Sequence, residues 1–337
     1  MGLGELADAC GPAAAPLLGG DGTIADPLLA VDLDAPGPPA QAAQITQAAR
    51  AARRSDRILA GVTSRPAHPL AEALDLTLTS AVTADRALVT CDPRAVLGQI
   101  QGTASANPQA AIVLAGLLRW SGALPVRDAL EAESLAYSTL LGGPEFGRWL
   151  RARGPRPLPP PAAAPVLVQR DGSTLTITLN RPERRNAYGR EVRDALVGAL
   201  DLARRSGLGV VLAGNGPAFC SGGDLDEFGT APDLVTAHLV RTRAGAARLL
   251  HDLRDRTEAR LHGACVGAGV ELPAFAGRVT AAGETVFRLP EVGMGLIPGA
   301  GGTVSLPRRI GRWRTLYLAL TGGWLDLGTA RQWGLVD

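Results

Sequence analysis

Two stretches decide how this chain is read: His262-Gly-Ala-Cys-Val-Gly-Ala-Gly-Val-Glu-Leu272 and Leu289-Pro-Glu-Val-Gly-Met-Gly-Leu-Ile-Pro-Gly-Ala-Gly-Gly-Thr303. Both are runs of small and aliphatic residues, and each carries one glutamate inside it, Glu271 and Glu291. Small residues at strand-to-helix turns let a ligand approach backbone N–H groups, and a helix start adds its dipole. A third such run, Ala218-Phe-Cys-Ser-Gly-Gly-Asp-Leu225, follows the short apolar run 209–213, which reads as a buried strand. Taken singly, each run reads as tight turns in a packed α/β domain. Together, in this order, they point to a ligand site.

Outward from these runs, residues 165–180 alternate apolar and polar (Leu175, Ile177, Leu179), the period of a strand. Residues 191–205 carry Val192, Leu196, Leu200 and Leu202 on or near one face, the pattern of an amphipathic helix. Strand, helix and strand in this order imply a parallel βαβ unit. Upstream, Gly-Pro-Arg-Pro-Leu-Pro-Pro-Pro-Ala-Ala-Ala-Pro over residues 154–165 cannot continue a helix, because repeated proline removes donors and fixes φ. This places a stiff linker at 158–164 between a first half, 1–157, and a second, 165–337. The first half opens similarly: Leu29-Ala-Val-Asp-Leu-Asp-Ala-Pro36 resembles Leu175-Thr-Ile-Thr-Leu-Asn-Arg-Pro182. A helix over 41–54 and a strand over 58–62 are expected to follow it. Further strands are expected over 74–79 and 86–90, then helices over 107–153 started by Pro108 and broken at Gly142-Gly143-Pro144.

At 337 residues the chain holds about two domains on the usual prior of ~150 residues each. Hydrophobic residues make up 46% and aromatics only 4%, so the core is built from Ala, Val and Leu. A net charge of +2, from 34 basic and 32 acidic residues, argues against a nucleic-acid partner. Every basic residue is Arg, which excludes a Schiff-base lysine and a Walker phosphate loop. Cys10, Cys91, Cys220 and Cys265 form no CxxC pair and no Cys/His cluster, so reduced thiols and no metal site are expected. His238, His251 and His262 lie at no triad-like spacing and read as ordinary residues. No secretory leader and no run of about 18 apolar residues is seen, so we expect a cytoplasmic protein that does not engage membranes.

The second half resembles the crotonase (enoyl-CoA hydratase/isomerase) superfamily, over about residues 165–337. The resemblance is carried by Asn180-Arg-Pro-Glu-Arg-Arg-Asn-Ala187, Phe219 to Leu225, Gly263 to Leu272 and Leu289 to Thr303. It implies an α/β fold with a β-β-α spiral core, acyl-CoA thioester substrates and an oxyanion hole of two backbone N–H groups, here Gly223 and Ala268. It also implies that Glu271 and Glu291, twenty residues apart, are the hydratase pair. Water addition across a double bond needs one carboxylate to take a proton from water and a second group to hand one to Cα. We assign Glu271 to the first task and Glu291 to the second. Substrate and CoA contacts are expected from Arg181, Arg185, Ala187, Ser221, Asp224, Leu225, Gly267, Pro290 and Gly299, with Asp224 also capping the helix after it. No metal or other cofactor is implied beyond the coenzyme A of the substrate, and the family forms homo-oligomers, trimers or hexamers.

The family's C-terminal helical region does not follow Asp337 in this sequence. Segments 107–111, 117–119 and 131–153 of the first half look like that region. The expectation is therefore a degenerate crotonase-like first half whose helices cover the second core in cis. Three other readings stand beside hydration: an enoyl-CoA isomerase with one glutamate as shuttle, a cofactor-independent arylacetyl-CoA oxygenase of the same superfamily, and a non-catalytic acyl-CoA-binding subunit.

Overall fold

In the second half, alternation and helical periodicity produce the elements in chain order, after a first half that is more helical than its sequence signals. The computed structural model describes residues 1–36, 42–161 and 163–337. The first half contains α1 (Leu3–Ala7), β1 (Leu28–Asp32), α2 (Ala42–Arg54), β2 (Ile58–Val62), β3 (Leu76–Thr79) and β4 (Val89–Thr90). Its four strands form one parallel sheet in the order β1-β2-β3-β4, with α2 as the crossover from β1 to β2. Gln41, expected to open the helix, lies outside the described residues. Four helices follow: α3 (Pro93–Ala106), α4 (Pro108–Trp120), α5 (Val126–Leu141) and α6 (Pro144–Arg153). Helix α3 is not expected from the apolar pattern, yet it has a start signal. Pro93 sits in its first turn and the Asp92 carboxylate accepts from the N–H groups of Arg94 and Ala95.

The second half contributes β5 (Val166–Asp171), β6 (Thr174–Leu179), α7 (Arg190–Arg205), β7 (Gly209–Gly214), α8 (Leu234–Arg243) and α9 (Ala247–Asp252). It continues with β8 (Thr257–Leu261), β9 (Ala264–Val266), α10 (Ala268–Glu271), β10 (Arg278–Ala281), β11 (Val286–Arg288), α11 (Gly302–Ile310), α12 (Arg312–Thr321), β12 (Leu325–Asp326) and α13 (Leu327–Trp333). The single strand expected over 165–180 is a hairpin: β5 and β6 pair antiparallel around Asp171-Gly172-Ser173. The βαβ unit forms as read, with β6 and β7 parallel and α7 between them. Helix α7 buries Val192, Leu196, Ala199, Leu200 and Ala203; Leu202, expected near this face, is 50% exposed. The main sheet runs β10-β8-β7-β6-β5, and a small sheet, β12-β11-β9, stands beside it. The described residues of 154–165 form neither helix nor strand, as their prolines require.

The two halves share one hydrophobic core. A contiguous cluster joins Ile58 and Leu78 of the first sheet, Leu114 of α4 and Leu130 of α5 to Ile177, Leu212, Val304 of α11 and Leu316 of α12. A smaller cluster of Leu6, Val31, Leu33, Ala48, Leu59 and Leu74 lies under the N-terminus. Polar ties cross the same seam. Gln99 Nε2 donates to the Thr321 carbonyl at 2.9 Å, and Trp313 Nε1 donates to the Leu74 carbonyl at 3.2 Å. The linker thus joins two sequence segments without dividing the core. Removing residues 1–157 strips the cover from α11 and α12, and we expect the remainder to aggregate. Sedimentation of the truncated chain checks this, and a soluble, folded remainder would contradict it.

Candidate active site

Two backbone turns come together first. β9 leads into Gly267, whose φ of +48° turns the chain sharply into α10. The loop after β7 runs alongside it: Val266 N donates to Cys220 O at 3.0 Å, and Cys220 pairs with Cys265 in an isolated parallel bridge. A side chain on Gly267 would collide with the Glu291 carboxylate and would lie 3.7 Å from the Gly222 Cα, so the close approach needs glycine. The N–H of Gly223 and that of Ala268, the first residue of α10, meet no acceptor among the described residues. Both residues line a cavity of about 450 Å³.

Five carboxylates line the same cavity, Glu133, Asp224, Glu227, Glu271 and Glu291, and three of them are buried deep in it. Glu271, at the end of α10 and 2% exposed, accepts from Ala300 N at 2.7 Å and Gly302 N at 2.8 Å, both on Oε2. Glu291 begins the turn Glu291–Met294, and its Oε2 is buried without a partner among the described residues. The third, Glu133, comes from α5 of the first half. Its Oε1 accepts from Gly301 N at 2.7 Å, and its Oε2 accepts from Thr303 N at 2.9 Å and Thr303 Oγ1 at 2.7 Å. The four consecutive amides 300–303 at the start of α11 therefore alternate between two carboxylates, one from each half. Tyr137, one turn after Glu133, lies over Gly299, where a Cβ would strike its ring. Neither Glu133 nor Tyr137 was singled out from sequence. Their signal is the i, i+4 spacing of a glutamate and a tyrosine on one face of α5, shared with Leu130 and Leu141.

Burial raises all three carboxyls. Glu291 is pushed up to about 7 by desolvation. Glu133 rises to about 7 because desolvation outweighs its Thr303 and Gly301 donors. Glu271 lies well above the ordinary carboxyl range, through desolvation first and then the charges of Glu291 and Glu133.

Of the residues expected to meet substrate, Gly223, Asp224, Ala268, Glu271, Glu291 and Gly299 line the cavity. Arg181, Arg185, Ala187, Ser221, Leu225, Gly267 and Pro290 do not line it. Arg181 is 5% exposed and donates to the Pro160 carbonyl at 2.9 Å while pairing with Glu191 at 3.4 Å, so it fastens the linker to the core. Arg185 is exposed, with a φ of +51°, in the turn before α7. Gly267 and Pro290 support the wall from behind, next to Ala268 and Glu291. Asp224 caps only a short turn, Leu225–Glu227, through Asp226 N, and takes a two-pronged contact from Arg184 at 3.0 and 2.6 Å. Cys220 and Cys265 are buried, and burial pushes the Cys220 thiol up to about 12, which suits packing rather than nucleophilic attack. Among the described residues no group of three His, Cys, Asp or Glu is placed to hold a metal ion, and no helix is long and apolar enough to cross a membrane.

With this geometry the relatives of the chain can be set beside it. The sequence profile of the enoyl-CoA hydratase/isomerase family matches residues 169–337, and the chain belongs to that family. It is 34% identical over 176 residues, 51% of this chain and 67% of the other, to a probable enoyl-CoA hydratase of Mycobacterium bovis. It is 35% identical over 178 residues, covering 51% and 68% respectively, to the 1,2-epoxyphenylacetyl-CoA isomerase of Escherichia coli. A probable enoyl-CoA hydratase of Rhizobium meliloti is 35% identical over 176 residues, covering 51% and 67%. The fold is that of the crotonase superfamily, and the likeness supports an enzyme of crotonase type. None of these matches extends over the whole of the chain.

The raised carboxyls give stability a definite dependence on pH. A carboxyl with a folded value above its ordinary 4.5 binds its proton more tightly when folded. Its contribution is complete below about pH 4.5 and is lost as pH rises through about 7 for Glu291. Urea unfolding across this window should show a shallower decline in Glu291→Gln than in wild type. An equally steep decline would contradict the buried, proton-holding Glu291.

Proposed function

We propose that the chain hydrates an enoyl-CoA thioester, or in reverse dehydrates a 3-hydroxyacyl-CoA. What carries this reading is the meeting of two acceptor-free amides, Gly223 and Ala268, with Glu271 and Glu291 on the wall of one cavity. The thioester oxygen takes both N–H groups as an oxyanion hole, which draws electrons from the conjugated double bond and makes C3 electrophilic. Such a donor is typically worth ~10²–10³ in rate. Glu271, anchored by two amides through one oxygen, keeps the other for a water and takes its proton as the water attacks C3. These two N–H donors offset part of the rise that burial and the neighbouring carboxylates impose on it. Glu291, with an oxygen that has no partner, favours the protonated form and delivers its proton to Cα. The steps are redox-neutral and call for no redox group.

We further assign α4–α6 the place of the family's C-terminal helices. The support is that α5 supplies Glu133 and Tyr137 to the cavity in cis. A degenerate-copy origin for the first half is supported by its β1-α2-β2 unit, parallel like β6-α7-β7. Crotonyl-CoA consumption, followed by loss of the enoyl-thioester absorbance, tests the reaction. Both Glu271→Gln and Glu291→Gln should lose ~10²–10⁴ of the wild-type rate. Double-bond migration retained in Glu291→Gln would instead favour an isomerase with Glu271 as its shuttle.

A further inference from the structure

The cavity extends past the catalytic carboxylates along α5 and α8, where its wall is mostly apolar: Leu130, Leu141, Phe228, Ala237 and Val240. One cation, Arg241, is set into this wall. Its Nε donates to Ser134 Oγ at 3.1 Å and its Nη2 to Ser134 O at 3.2 Å and to Ser138 Oγ. The guanidinium carbon stands 4.6 Å from the centroid of the Tyr137 ring. Among the described residues Nη1 makes no hydrogen bond, and no carboxylate lies within 4.0 Å of the side chain. Glu133, whose charge Arg241 feels, already has both oxygens occupied by Gly301 and Thr303. Arg241 differs in this from the other arginines on the cavity wall. Arg193 pairs with Asp194, Arg248 pairs with Glu131, and Arg190 is exposed to solvent.

A guanidinium drawn partly out of water is normally paired with an acid. Here two serines and a tyrosine face hold it in one orientation without neutralising it, so the entropic cost of fixing it is met before any ligand arrives. A ligand that suits this wall is apolar along its middle and anionic at its end. We propose that Arg241 binds a carboxylate at the far end of the acyl chain, so that the preferred substrates are CoA monothioesters of dicarboxylic acids. The proposal rests on the thioester placement given above, with the acyl chain running from Gly223 and Ala268 toward α5 and α8.

Equilibrium binding measured by calorimetry tests it without turnover. The probes are saturated thioesters matched in length: succinyl-, adipyl- and suberyl-CoA against butyryl-, hexanoyl- and octanoyl-CoA. In at least one pair the carboxylated ligand should bind wild type ~10-fold tighter or more, the scale set by leaving a buried polar group unpaired. Arg241→Met, and Arg241→Gln as a check with a polar replacement, should abolish that preference while leaving the alkyl thioesters within ~3-fold. Wild-type binding that favours the alkyl member of every pair would overturn the proposal. So would an equal loss for both classes in the variants, which would assign Arg241 to coenzyme A or to packing. Binding preference without hydration of crotonyl-CoA or of the 2,3-unsaturated adipyl-CoA monothioester would sink the hydratase reading and leave this one standing.

Discussion

The structure depends on how the first turn of α11 is satisfied. A helix start leaves N–H groups without intrahelical acceptors, and burying them unpaired is costly. Here four such amides in succession, from Ala300 to Thr303, are shared between Glu271 and Glu133. The helix terminus needs acceptors, the buried carboxyl oxygens need donors in a desolvated cavity, and each need meets the other. Because one carboxyl comes from each half, residues 300–303 are held from both halves at once. The common hydrophobic core is the same constraint seen in the apolar residues.

The same arrangement sorts the carboxylates by task. Glu133 uses both oxygens on three donors and is held in place. Glu271 uses one oxygen and keeps one free, while Glu291 has an oxygen with no partner. Donor count alone does not set proton affinity here, because burial and the neighbouring charges raise Glu271 above the other two despite its two amide donors. Negative charge on Glu133 and on Glu291 also raises Glu271, so proton affinity within the cluster is a collective property. The amides of Gly223 and Ala268 and this cluster line one cavity.

Much of this was legible in the residues, and what was hidden follows a physical pattern. The glycine-rich runs announced the turns at Gly223 and Gly267, because a close backbone approach leaves a compositional trace. The pair Glu271 and Glu291 stood out as charges inside apolar runs. The hairpin of β5 and β6 was hidden because Asp171-Gly172-Ser173 interrupts the apolar alternation without breaking its rhythm. Glu133 was hidden because a glutamate on a charged helix such as α5 looks solvated, and only the tertiary fold brings it against Gly301 and Thr303. Arg181 misled in the opposite direction: an arginine in a loop reads as a surface cation, yet it is buried and engaged by the Pro160 carbonyl. Pairings between distant segments leave no local pattern, and in this chain the distant pairings complete the site.

The most direct test of the shared helix start is a double-mutant cycle on unfolding free energy, using Glu133→Gln, Glu271→Gln and the double variant. If both carboxylates order the same four amides, releasing the loop once makes the second loss smaller. We expect the double variant to be less destabilised than the sum of the single variants by ~1 kcal/mol or more, within the range for groups sharing one network. Additivity to within ~0.5 kcal/mol would show that the two carboxylates act independently, and would contradict a site built jointly by the two halves.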